Sequence, residues 1–401
     1  MADGFFDSGI SSRIWDVRYR YREDSGIAVD QSVEDTWRRV AHALASVEPR
    51  DNDAWERRFH EILAGFRFLP GGRILAGAGT SHKVTLFNCF VMGAVEDSLD
   101  GIFEALKEGA LTMQQGGGVG YDFSTLRPSG EPAHGVGTTA SGPVSFMHIW
   151  DSMCATVLST GARRGAMMAT LRCDHPDIEI FIAAKRNPGV LRHFNLSVLV
   201  TDDFMRAVRE DAEWLLVFPL AENETASSEV VERPWSGRSA PRRCRVLRRV
   251  GARALWDKIM RATYDYAEPG VIFIDRINRM NNLWYCEQIS ATNPCGEIPL
   301  PYYGACNLGA INLTQFVRLP FAPNAALDLD GIGTTAATAV RLLDNVYDLS
   351  LFPLPRQAQT ARASRRIGLG LTGLADAMAM LGIRYGSTRS FELAGEVMRE
   401  I

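Results

Sequence analysis

A chain of 401 residues with 46% hydrophobic and 22% charged residues and a formal charge of −4 is globular in make-up, long enough for roughly two to three domains or one large α/β domain with an appendage. The near-neutral balance gives no electrostatic case for a nucleic-acid or membrane partner. No apolar run has the form of a signal peptide or the length of a bilayer span, which leads to a cytoplasmic reading.

Seven cysteines, at 89, 154, 173, 244, 286, 295 and 306, include no C-x-x-C pair. Such a set excludes a secreted disulfide frame and a zinc ribbon, and no other metal-ligand spacing is present. The thiols are therefore either packed as small hydrophobes or chemically active.

In chain order, residues 1–85 read as a helical domain. Val33, Trp37, Val40, Ala41 and Leu44 recur on one face of a helix, and a second helix covers about 52–66 before the breakers Pro70-Gly71-Gly72. From Val84 strands and helices alternate: a strand at 84–92, a helix at 97–109, then the glycine run Gly116-Gly117-Gly118-Val119-Gly120. That run lacks the strand, spacing and acidic partner of a dinucleotide fingerprint. Loops at 127–142 and 161–169 flank a helix at 144–158. A helix at 176–185, a strand at 194–200, a helix at 202–209 and a strand at 214–218 follow. The polar stretch 221–250, with its arginine run 242–249, reads as a solvated surface insertion. A helix at 252–266, a strand at 271–275, a helix at 331–351 and a strand-to-helix unit at 367–381 complete the pattern. Short apolar strands alternating with helices imply parallel pairing, and Gly-rich segments after strands favour an α/β barrel over an open sheet.

One stretch stands apart, Asn293-Pro294-Cys295-Gly296-Glu297, with a second thiol, Cys306, eleven residues after Cys295. A cysteine between Pro and Gly, flanked by an amide and a carboxylate, is a poor core element. An amide, a thiol and a carboxylate at alternate positions of a loop tip suit chemistry on a polyol.

Taken with Phe87-Asn88-Cys89-Phe90, Arg163-Arg164-Gly165-Ala166 and Asp174-His175-Pro176-Asp177-Ile178, this stretch resembles the catalytic chain of ribonucleotide reductases from about residue 10 onward. The eleven-residue interval and the Pro-Cys-Gly-Glu form point to the adenosylcobalamin-dependent class II. The resemblance implies a ten-stranded α/β barrel built from two half-barrels, with the radical cysteine on a finger loop. It divides the chain into a helical domain (1–85), the first half-barrel (86–292), and the finger with the start of the second half-barrel (293–401).

On that resemblance Cys295 carries the thiyl radical, Glu297 is the general base for the 3′-hydroxyl, and Asn293 orients the diol. Cys89 and Cys306 are the reducing pair that becomes a disulfide, which requires Cα atoms within about 4.4–6.8 Å. Asn88, Cys89, Gly118, Asn293, Pro294, Cys295, Gly296 and Glu297 line the ribonucleotide substrate. Asp97, Ser98 and Arg127 match positions that contact a deoxynucleoside triphosphate effector, and His134 stands where a second arginine is common. Helix 144–158 is the candidate homodimer helix, although its apolar face equally suits packing within the chain. Cys154, Cys173, Cys244 and Cys286 are read as inert packing.

The family's phosphate-binding loop and C-terminal cysteine pair, which exchanges electrons with a thioredoxin-like reductant, would lie beyond Ile401. The chain is therefore expected to be an N-terminal part or one half of a split enzyme, with no turnover alone. Two other readings remain open: a large subunit served by a separate radical-generating protein, and a nucleotide-binding, dimerising component without catalysis.

Overall fold

The computed structural model describes residues 9–133, 137–157, 165–187, 189–221, 224, 229–238 and 240–401. They form two compact units, one from the residues up to Asn88 with Ala305–Ile401, the other from Cys89–Gly304. Among the described residues, no helix is long and apolar enough to cross a membrane.

The first unit is mainly helical. Helix Val33–Ala45 buries the face read from its periodicity, with Val33, Trp37, Val40, Ala41 and Leu44 all inside, and Ser32 and Asp35 close its N-terminus as a capping box. Helix Asn52–Leu63 packs against it. Helix Leu329–Leu349 buries Ile332, Ala336, Ala339, Leu343 and Val346 along one stripe. A three-stranded sheet runs Phe68–Pro70, Leu308–Asn312, Gly368–Thr372, the first pair antiparallel and the second parallel. The Glu48 side chain, 1% exposed, ties the helical layers together: it accepts from Arg341 Nε and Nη2 at 2.7 and 2.6 Å and from Asn345 Nδ2 at 2.8 Å.

The second unit is built on a five-stranded sheet: β1 (Cys89–Val91), β2 (Gly118–Asp122), β3 (Met167–Arg172), β4 (Phe194–Val200) and β5 (Gly270–Phe273). All neighbours are parallel, and spatial order follows chain order. Helices Leu99–Gln114, Pro143–Thr156, Ile178–Ala183, Asp202–Glu210 and Ala252–Tyr266 fall in the crossovers. This is the parallel α/β architecture expected from the sequence. Among the described residues the sheet is open, and its five strands are half the number that the resemblance implies for a closed barrel.

Several local expectations need correction. The strand read at 84–92 shrinks to three residues, because 84–88 make no ladder. The loop read at 161–169 ends inside β3, whose six residues are all buried. A central strand covered on both faces shows no alternation, and its Met-Met-Ala start carries little β signal. Residues 221–250 are not a plain surface excursion. Val230–Arg233 and Glu213–Pro219 each pair antiparallel with Arg242–Gly251, the central strand of a three-stranded sheet. Three of its arginines enter ion pairs, Arg245 with Glu131 and Glu224, Arg248 with Glu179, and Arg249 with Glu213 and Glu229.

The Glu48 cluster sets an expectation for stability. Hydrogen bonds from Arg341, partly opposed by burial, hold the Glu48 carboxyl below its usual value. A depressed carboxyl stabilises the fold above its unfolded value, near pH 4.3, and that contribution disappears as pH falls through the lower folded value. Glu48→Gln should therefore cost about 2 kcal/mol in urea unfolding at pH 7, with the gap to the unaltered chain closing in acid.

Candidate active site

The stretch 291–300 is a finger-like hairpin. Ala291–Thr292 pairs antiparallel with Pro299–Leu300, and Asn293 N–H donates to the Ile298 carbonyl at 3.2 Å, so the ladder runs to the tip. Gly296 turns the chain with φ of +83°, a conformation glycine adopts without strain, and its N–H donates to the Asn293 carbonyl at 3.1 Å.

Asn293 braces this tip from within. Its side chain is buried; Nδ2 donates to Glu297 Oε1 at 2.7 Å and Oδ1 accepts from Ile298 N–H at 3.1 Å. The amide read as a holder of the diol is thus engaged with the finger itself and aims the Glu297 carboxylate. Cys295 and Glu297 are both exposed at the tip.

The finger rests on the parallel sheet of its own unit, where β2 has no side chains to keep it away. A Cβ on Gly120 would lie 1.9 Å from the Thr292 carbonyl oxygen. One on Gly118 would lie 2.9 Å from Pro294 Cγ and 3.4 Å from Cys89 Sγ. Cys89, on β1 in register with Gly118, is buried on the side of Gly118 that also receives Pro294. Farther along the same face, Met168 Cε comes within 3.6 Å of a Cβ on Gly296, and Asn195 Nδ2 donates to the Pro294 carbonyl at 2.7 Å. Cys89, Gly118, Pro294, Cys295, Gly296, Asn293 and Glu297 are therefore gathered in one place. Cys306 and Asn88 belong to the other unit. There Cys306 is buried in front of the β-strand that begins at Leu308, and Asn88 Oδ1 accepts from Arg73 N–H at 3.2 Å.

Asn195, Gly120 and Met168 were not singled out by the sequence reading. Gly120 stands in the glycine run 116–120, and Asn195 is the amide in the run Phe-Asn-Leu-Ser-Val-Leu-Val, where an asparagine fits a strand poorly.

The remaining thiols separate by environment. Burial pushes Cys154 up to about 11 and Cys173 and Cys244 up to about 12, so all three stay protonated and inert. Cys286 does not fit the packing reading: it is exposed, in the turn after Trp284 and Tyr285. Its neighbours are polar and aromatic turn residues with no core to enter.

The effector-matching residues lie at the opposite, C-terminal end of β2. Arg127 Nε donates to Asp97 Oδ2 at 2.9 Å, and its N–H donates to Asp97 Oδ1. Both residues line a cleft of 640 Å³ with Glu131, Trp235, Arg242 and Arg245. Ser98 is a helix N-cap, accepting from Gly101 N–H at 3.1 Å. His134, Arg163 and Arg164 lie outside the described residues. The Asp-His-Pro-Asp motif is structural in its contacts. Arg172 forms a bidentate pair with Asp174, and His175 donates from Nε2 to the Leu126 carbonyl while Nδ1 accepts from Asp177 N–H. Burial holds the His175 imidazole neutral. Helix Pro143–Thr156 turns Met147, Trp150 and Cys154 inward, and Trp150 meets Tyr121 and Phe123 edge-on.

The seat on β2 makes Gly120 a sensitive position. Gly120→Ala should lower the unfolding free energy by about 2 kcal/mol and speed hydrogen exchange at the Asn293 and Ile298 amides. Gly395→Ala, in a helix with open space around it, should leave those amides unchanged.

The family model described as ribonucleotide reductase, all-alpha domain, matches residues 5–83, and that described as ribonucleotide reductase, barrel domain, matches residues 87–401. The chain is similar to the vitamin B12-dependent ribonucleoside-diphosphate reductase of Mycobacterium tuberculosis (strain CDC 1551 / Oshkosh). The two are 41% identical over 387 residues, covering 96% of this chain and 51% of that protein. The enzyme of the same description from Thermoplasma acidophilum is 39% identical over 342 residues, 85% of this chain and 41% of its own length. The ribonucleoside-diphosphate reductase subunit alpha of Chlamydia pneumoniae is 29% identical over 373 residues, 90% of this chain and 35% of its own length. The chain spans about half the length of the first of these relatives. With an all-alpha domain, a parallel barrel-type sheet and a cysteine-bearing finger seated on it, the chain belongs to the ribonucleotide reductase large-subunit family.

Proposed function

We propose that this chain carries the reacting thiol for reduction of ribonucleotides to 2′-deoxyribonucleotides, with adenosylcobalamin as cofactor. The observation that carries the reading is the tip itself: an exposed thiol and an exposed carboxylate on one short turn, the carboxylate aimed by a buried amide. The relatives named vitamin B12-dependent support the choice of cofactor. So does the access to Cys295, since a bulky radical donor must reach sulfur, and Cys89 and Cys306 are only 4% and 3% exposed. When bound, the cofactor supplies the radical equivalent, and Cys295 is the residue that would meet it.

In this reading a thiyl radical on Cys295 takes the ribose 3′ hydrogen, an exchange near thermoneutral and hence reversible. Glu297 accepts the 3′-hydroxyl proton as general base. The 2′-hydroxyl then leaves as water, taking up a proton. Cys89 and Cys306 together give two electrons and two protons and become a disulfide, after which Cys295 returns its hydrogen to C3′. The balance is one ribonucleotide and two thiols to one deoxyribonucleotide, one water and one disulfide. Gly118, Pro294 and Gly296 form a backbone-rich wall for the nucleotide, and Asn88 is a further substrate contact that the family resemblance implies. A deoxynucleoside triphosphate bound at Asp97, Ser98 and Arg127 biases which base is taken, in a homodimer that uses helix Pro143–Thr156. A thioredoxin-like protein restores the thiols, in a reducing cytoplasmic setting.

The test is conversion of ribonucleoside di- and triphosphates by the assembled holoenzyme, with and without adenosylcobalamin and with and without a second radical-generating subunit. Conversion should require the cofactor alone. Cys295→Ala should lower it by roughly 1,000-fold or more, with nucleotide binding retained. Undiminished conversion by Cys295→Ala would overturn the assignment, and dependence on a second subunit in place of the cofactor would overturn the choice of class.

A further inference from the structure

We propose that Asn195 is a positioning residue for Cys295, acting through the Pro294 carbonyl. The inference rests on the assignment of Cys295 as the reacting thiol.

The argument begins with register. Gly120, Met168 and Asn195 are paired neighbours on β2, β3 and β4, and paired residues of parallel strands face the same side of a sheet. All three meet the finger: Gly120 at Thr292, Met168 at Gly296 and Asn195 at Pro294. Two of them make contact through space or apolar atoms. Asn195 adds a directed bond, donating from Nδ2 at 2.7 Å across 99 residues of sequence. Its strand neighbours Phe194 and Leu196 are buried at 1% and 2% exposure, while Asn195 itself is exposed on the finger side.

The acceptor makes the bond consequential. The Pro294 carbonyl belongs to the peptide that joins Pro294 to Cys295, and a peptide unit is planar from one Cα to the next. Fixing that oxygen fixes the Cys295 Cα, and with it the cone on which Sγ swings. The proline ring locks φ of Pro294, one bond before that peptide, and so narrows the paths by which the peptide can swing. The bonds that Asn293 and the finger backbone make lie within the hairpin and move with it. The Asn195 bond ties the tip to the sheet, on which Cys89 also sits.

Two variants and an internal standard test this in the 401-residue chain. Asn195→Asp keeps the shape and removes the donor, whereas Asn195→Gln keeps a donor on a longer arm. Alkylation by iodoacetamide, followed peptide by peptide, should rise about fivefold at Cys295 in Asn195→Asp, the loss of one hydrogen bond. Cys286, exposed elsewhere in the same unit, should react at an unchanged rate, and the melting temperature should stay where it was. Asn195→Gln should move the rate back toward the unaltered value. In the holoenzyme, Asn195→Asp should lower kcat by roughly tenfold to 100-fold with KM unchanged, as expected for a misplaced reacting group. An unchanged Cys295 rate in Asn195→Asp would overturn the proposal. So would a rise shared by Cys286 with a fall in melting temperature, which would mark Asn195 as a fold-stabilising residue only. If the unaltered holoenzyme converts no ribonucleotide while Cys295 alkylation still depends on Asn195, the reaction assignment fails and the positioning stands.

Discussion

The site depends on one close approach, the finger backbone at Thr292 lying against the bare backbone of β2 at Gly120. Any side chain there would occupy the space of a carbonyl oxygen. The absence of two Cβ atoms, at 118 and 120, therefore decides how deeply the hairpin sits, and the depth decides which sheet residues can reach the tip. Cys89 and Pro294 both converge on Gly118, and Met168 and Asn195 reach Gly296 and Pro294 because the hairpin is already in place. A parallel sheet supports such a seat well. Its central strand β3 is buried along its whole length and crossover helices hold its neighbours, so the platform does not yield when the finger is loaded.

Within the finger the polar groups are economical. Asn293 uses its carbonyl to hold the returning strand at Ile298 and its amino group to hold Glu297. One buried amide thus fixes both the shape of the turn and the direction of the carboxylate. The chemistry asks for a thiol whose sulfur is accessible and a base beside it, and these are the two tip residues left exposed. Three other cysteines of this unit illustrate the contrast: Cys154, Cys173 and Cys244 are lifted by burial into the range where thiols do not react.

Much of this was legible in the sequence, for identifiable reasons. Helix Val33–Ala45 follows from its one-sided periodicity, β4 from its apolar run, and Cys295 from being a cysteine that no core would choose. The misses are equally physical. β3 is a central strand with no alternation, and β2 is hidden inside a glycine run whose lack of side chains is its function. The arginine run 242–249 looks like solvated surface until Glu131, Glu213, Glu224 and Glu229 are seen to neutralise it on a sheet. Asn195 was visible as an odd residue in its strand, but only the fold supplies the carbonyl 99 residues away that explains it.

The most direct measurement is a primary kinetic isotope effect at the ribose 3′ position in the holoenzyme, using substrate deuterated at C3′. If Cys295 is the hydrogen-abstracting thiol, conversion should slow with the deuterated nucleotide, and the conversion sensitive to that label should disappear in Cys295→Ser. Conversion by Cys295→Ser at the unaltered rate, with no effect of 3′ deuteration, would contradict the assignment of the finger-tip thiol.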